Sequence, residues 1–362
     1  MKYLLVGFFI GFILCLLPLW QLKVGIEIYP QWHGRIDAIE NIQRSNSPKF
    51  INNKIPPIKT NKEFFVLSGT GELITRHNNN GRLISVSGDG EYFVQYEKVG
   101  NRIEFLNTHC ERFWKIASRE YPYVSYNGKF ILLMNGDHSR IRIVDYNGKE
   151  MGVRRITGRV CTIIAFSKYT DFACIGFLDG SYYLINSEGF IINEEVVPGN
   201  SIVKGMAVNS YGNLLVIHYG NNKGDFIRLV NIIKNEIYTI SLQHVHLTKT
   251  GINISDEGGV TVIDYNRILL LGADGIILNT INIPNKRDGM SNIDCSNGIC
   301  VTGYTGEDGV AQLLIFRSDG ILLFSQVYAG ESFVEACVDD SIIFLRGSQG
   351  LFCYSYSCQY TQ

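Results

Sequence analysis

Residues suited to chemistry are few in this chain and widely spread. His244 and His246 flank a single residue, so an extended segment turns both imidazoles to one face. That spacing chelates a metal ion when a third ligand converges. No third ligand lies nearby in the chain, and two surface or half-buried histidines are the competing reading, so no metal site is assigned. Asp137, His138 and Arg140 share one turn, which either brings acid and base together or is simply solvated. A Gly-x-Ser-x-Gly elbow, a glycine-rich phosphate loop ending in Lys-Ser/Thr, an H-E-x-x-H pair and an EF-hand loop are all missing. No catalytic residue and no cofactor are expected on this basis. Cys295 and Cys300 flank the turn Ser296-Asn297-Gly298, leaving a bridge across a hairpin and two small buried hydrophobes as alternatives. No C-x-x-C pair occurs, which argues against a zinc ribbon.

The elements that must position these residues repeat along the chain. In each unit an apolar residue ends one run, a Ser/Asn/Asp/Gly turn follows, and a second apolar run begins. Val86, Val124, Phe166, Val208, Ile254, Cys295 and Cys337 are the seven anchors, separated by 38, 42, 42, 46, 41 and 42 residues. A step near 42 is that of a four-stranded propeller blade. One unit reads as Thr162–Phe166, Phe172–Phe177, Ser181–Ile185 and Phe190–Val196, with turns at Asp179-Gly180 and Glu188-Gly189. Asn147-Gly148, Asp274-Gly275 and Asp319-Gly320 supply the equivalent tight turns, where Asn/Asp-Gly takes up the positive φ a hairpin demands. The last unit runs short of a fourth strand. Glu72–His77 is expected to supply it by pairing into the blade of Phe333–Cys337, closing the ring and removing exposed sheet edges.

The recurring Ser-x-Asp/Asn-Gly turns between apolar strands, over residues 64–358, resemble WD40-like and similar bacterial propeller repeats. The resemblance implies a seven-bladed β-propeller and roles in binding and assembly, without selecting one. The Trp-Asp and Gly-His dipeptides of WD40 repeats are absent, as are the tryptophan-ended repeats of quinone-dependent propeller dehydrogenases. Neither that cofactor nor WD40 partners carry over.

Outside the repeats, Tyr3–Leu22 is twenty residues without a charge, enough at about 1.5 Å per residue to span a bilayer as a helix. No small-residue cleavage site follows it, so it is expected to remain as a signal-anchor, with the bulk of the chain exported, on the periplasmic side of the inner membrane in a diderm bacterium. Pro30, Pro48, Pro56, Pro57 and a polar run make residues 23–62 a stalk, within which Ile36, Ile39 and Ile42 have the spacing of a short amphipathic helix. Residues 1–62 carry 8 Lys/Arg against 3 Asp/Glu, and the rest 25 against 31. Neither balance suits a nucleic-acid binder.

The fold class expected is therefore all-β: a transmembrane helix over 1–22, a stalk over 23–62 and seven four-stranded blades over 63–362. In a meander, the crossings from each outermost strand to the next blade share a face with the turns joining second and third strands. That face collects Asp137, His138, Arg140, Arg154, Arg155, Arg159, Asp225, His244, His246, Lys286, Arg287, Asp288, Glu307 and Asp308. It is expected to dock a protein partner, with Arg154, Arg155 and Arg159 its most concentrated part. The alternative is an enzyme or small-ligand sensor with its site at the channel mouth on the same face, since propeller enzymes assemble their sites from distant loops.

Overall fold

The computed structural model describes residues 23–44, 54–247, 249–283 and 292–361, and the regular elements among them are all β-strands. They form eight antiparallel sheets. Six are complete four-stranded meanders, at 83–117, 121–157, 161–196, 202–241, 252–282 and 292–328. We number these blades 2 to 7. Blade 1 has three strands, Ile58–Lys59, Glu63–Leu67 and Leu73–Asn78. Blade 8 has five, in the order Val334–Asp339, Ile342–Gly347, Gly350–Thr361, Lys23–Arg35 and Ala38–Arg44.

Sequence pattern follows position in the blade. Middle strands are apolar on both faces because neighbouring blades cover both, as in Phe130–Met134, where every residue is buried. Outermost strands alternate, as in Ile191–Val196. Each sheet packs on the next. Phe64 and Phe93 lie between blades 1 and 2, Phe177 and Leu132 between 3 and 4, and Leu313 and Leu345 between 7 and 8. Trp32, Ile342 and Phe344 of blade 8 meet Ile58, Phe65 and Leu67 of blade 1, and so the ring closes.

Closure depends on a strand from the other end of the chain. Lys23–Arg35 runs antiparallel to Gly350–Thr361, in register from Lys23↔Thr361 to Arg35↔Gly350 with one bulge between Pro30 and Trp32. The bulge accommodates Pro30, which has no amide to donate. Trp32 is buried, and its indole Nε1 donates to the Gly69 carbonyl of blade 1 at 2.9 Å.

Four expectations are corrected here. The ring has eight blades, because the seven anchors are innermost strands of blades 2 to 8 and blade 1 carries no such turn to be counted. The strand Leu73–Asn78 pairs within blade 1 and does not close the ring. Within the expected stalk, Lys23–Arg35 and Ala38–Arg44 are strands of blade 8, and Ile39 and Ile42 pack from a strand rather than a helix. Finally, Tyr3–Leu22 lies outside the described residues, and among those described no helix is long and apolar enough to cross a membrane. The expected transmembrane helix, and the extracytoplasmic location built on it, therefore have no support among the described residues.

Replacing Trp32 with alanine removes a large buried ring and the indole donor to the Gly69 carbonyl. Chemical denaturation should show a loss of about 3–5 kcal/mol. A loss under about 1 kcal/mol, the size of a surface change, would mean this strand is not held as described.

Candidate functional site

The meander places the crossings between blades and the turns joining second and third strands on one face. Blade 3 illustrates how they interlock. The His138 carbonyl accepts the Cys161 amide at 2.8 Å, and the Ser139 carbonyl accepts the Gly158 amide at 2.9 Å, tying turn to crossing. His138 itself is left-handed, φ 61°. Asp137 accepts the Ser139 amide at 3.0 Å and its hydroxyl at 2.7 Å, bonds that hold its carboxyl below the usual range. Arg140 lies 3.5 Å from Glu120, a buried carboxylate in the preceding crossing that also takes Arg142 at 2.7 Å. These groups form structural pairs.

Arg159 is half-buried. Its guanidinium donates to the Tyr183 hydroxyl at 2.5 Å and lies 3.5 Å from Asp179 and 3.6 Å from Glu194. Arg154 and Arg155 fall on the strand Glu150–Thr157, with side chains outside the described residues. Lys286, Arg287 and Asp288 also lie outside them.

The two histidines do not converge on a common point. His244 stacks near Tyr265, ring centroids 4.4 Å apart, while His246 Nε2 is 3.3 Å from Asp264. Among the described residues no group of three or more His, Cys, Asp or Glu side chains is arranged to hold a metal. His246 instead belongs to a buried ionic cluster between blades 5 and 6 that the sequence reading missed. Asp225 accepts Lys204 Nζ at 2.6 Å, His218 Nε2 at 2.9 Å and the His246 amide at 2.8 Å. Asp264 accepts the Gln243 amide at 3.0 Å and Arg267 at 2.7 Å. Burial alone would raise both carboxyls, but these donors outweigh it; both are lowered, Asp264 to about 2. Burial lowers His218 and favours its neutral form despite Asp225. The detectable signal was the placing of His218 and Asp225 on either side of a short hairpin turn.

Also missed was an apolar patch on this face. Val160, Leu178, Val196 and Ile202, from blades 3 to 5, are 44%, 50%, 58% and 36% exposed. Val160 and Leu178 adjoin, the Leu178 amide donating to the Val160 carbonyl at 2.9 Å, and Val196 and Ile202 lie at the two ends of the following crossing, whose Val197 amide donates to the Gly180 carbonyl at 2.9 Å. Arg159, Asp179 and Glu194 border them.

The opposite face carries a cavity of about 1110 Å³ in the central channel, at the turns between first and second strands. Its mouth is crossed by blade 4. Lys168 Nζ lies 3.3 Å from Asp294 of blade 7, and the Tyr169 hydroxyl donates to Asp339 of blade 8 at 2.7 Å. The recess is thus on the mouth away from the charged-loop face. Near it Cys295 and Cys300, directly paired with Cα atoms 4.1 Å apart, form a disulfide, which resolves the two readings of that hairpin.

The family described as beta-propeller protein matches residues 1–276. The chain belongs to that family. Among solved structures, the propeller is similar to BamB from Moraxella catarrhalis, with 11% identity, a TM-score of 0.59, and coverage of 93% of this chain and 100% of that one. It is similar too to the dihydro-heme d1 dehydrogenase NirN in complex with DHE, with 10% identity, a TM-score of 0.57, and coverage of 87% and 77%. A eukaryotic initiation factor matches at 9% identity and a TM-score of 0.56, covering 94% and 97%. At such identities the likeness extends to the fold alone. No curated protein matches the propeller in sequence.

Asp264→Ala should cost about 3–5 kcal/mol at pH 7, because it leaves Arg267 without its partner in a buried cluster. The carboxylate's folded value is depressed, so its contribution is complete above the unfolded value of 3.8 and is lost as pH falls through about 2. Denaturation between pH 7 and 2 should therefore show a shallower acid loss in the variant than in the wild type.

Proposed function

We propose that the chain is a protein-docking scaffold that engages its partner through the face of inter-blade crossings, centred on Val160, Leu178, Val196 and Ile202. The observation that carries this reading is the exposed apolar patch with a charged border, the composition of a docking site with an apolar centre and polar rim. Arg154, Arg155 and Arg159 add positive charge at the edge of that patch in sequence, and rim charges act chiefly on the rate of encounter. The partner is a protein whose surface has an apolar centre and acidic margins.

In capture experiments, Leu178→Asp should abolish partner retention, and charge reversal at Arg154, Arg155 and Arg159 should slow association at low salt. Tyr211→Asp, 68% exposed on the other face, should leave both unchanged. Exposed substitutions shift stability by no more than about 0.5 kcal/mol, so lost capture is not lost fold. Retention by Leu178→Asp equal to the wild type would overturn the proposal.

A second reading, a small-ligand site, is favoured by the channel cavity. Under it Lys168→Ala alters ligand uptake, and the docking variants do not.

A further inference from the structure

In blades 1 to 7 the turn leading into the outermost strand places one residue in the left-handed region. In five blades it is glycine: Gly71, Gly148, Gly189, Gly275 and Gly320, with φ between 75° and 93°. Blade 5 uses Asn235, φ 54°, the usual substitute. Blade 2 uses Cys110, φ 64°. At each glycine an added Cβ would press on the outermost strand of the preceding blade, as Gly148 on Trp114 and Gly275 on Tyr238. Cys110 occupies the same seat, and there it meets a histidine: its Sγ is 3.4 Å from Nδ1 of His77, on the outermost strand of blade 1.

The other free thiols among the described residues are shielded. Burial pushes Cys161 up to about 11 and Cys174, Cys337 and Cys353 up to about 12, which makes them poor nucleophiles. Cys110 is exposed. Its histidine is wedged against Phe93 and Phe64, with ring centroids 4.5 and 5.7 Å away, and Nε2 is buried without a hydrogen-bond partner. Burial lowers the pKa of that imidazole, so at neutral pH it is the free base. With the proton on Nε2, Nδ1 is left to accept from the thiol.

We propose that Cys110 and His77 form a nucleophile and base pair, and that Cys110 is a modification site for small electrophiles, low-molecular-weight disulfides in particular. Attack on such a disulfide forms one S–S bond and breaks another. The Cys110 proton passes to His77 Nδ1, and the departing thiolate recovers it, so thiol plus disulfide yields mixed disulfide plus thiol. The inference is independent of the docking proposal.

The test is iodoacetamide labelling at pH 7 with each thiol read by peptide mass spectrometry. Cys110 should react about tenfold faster than Cys161, Cys174, Cys337 and Cys353 in the folded protein, and several-fold faster than Cys110 itself in urea, where the histidine is gone. Exposure explains the first result, but the second requires the base. His77→Gln should return Cys110 to the urea rate, and added imidazole should restore the fast rate in His77→Ala. Oxidised glutathione should leave a mixed disulfide at Cys110 in the wild type. Cys110→Gly, the residue of the other turns, should keep the fold and lose the fast label. A folded rate no higher than in urea, which needs no variant, would overturn the pair, as would indifference to His77→Gln.

Discussion

A blade of antiparallel strands has two open edges and two apolar faces, and neither is tolerable alone in water. Stacking blades covers the faces only if the last meets the first. In this chain the joint is made by backbone pairing between opposite ends, Lys23–Arg35 on Gly350–Thr361, reinforced by Trp32 reaching from blade 8 into blade 1. Ring closure sets which loops share a face and which turns surround the channel. Every site described above inherits its position from that joint.

The two faces then differ for physical reasons. On the channel side the turn of blade 4 reaches blades 7 and 8 through Lys168 and Tyr169, and Tyr169 adopts a left-handed backbone to do so. The crossing side has its charges largely consumed by internal work. Glu120, Asp225 and Asp264 are buried acceptors that fix crossings against turns. The apolar group around Leu178, edged by Arg159, stays exposed on that side.

Much of the fold was legible because the repeat is written locally. Val86, Val124 and the other anchors end strands whose turns follow at once, and the spacing alone implies blades. The eighth blade was hidden because Ile58–Lys59 is two residues long and has no anchor turn before it. Residues 23–44 were misread because their partner is more than three hundred residues away, so prolines and polar residues suggested a stalk where Gly350–Thr361 imposes a strand. Of the ionic cluster only His218 and Asp225, either side of a hairpin turn, were legible; Lys204 from a neighbouring strand and His246 from the crossing join them in the folded sheet. Exposure of Leu178 and Val196 cannot be read from residue type, because the same types fill the core. The Cys110 seat becomes visible once seven turns are superposed in meaning and one departs from glycine or asparagine.

The central claim is that the first described strand closes the ring, and its register can be measured. Glu27 lies opposite Ser357. With cysteines at both positions, Glu27→Cys and Ser357→Cys, oxidation should give an intramolecular bridge between the two ends, found by mass spectrometry in the folded monomer, together with a raised unfolding midpoint. Absence of that bridge, or its formation equally well in unfolded chain, would contradict closure by Lys23–Arg35.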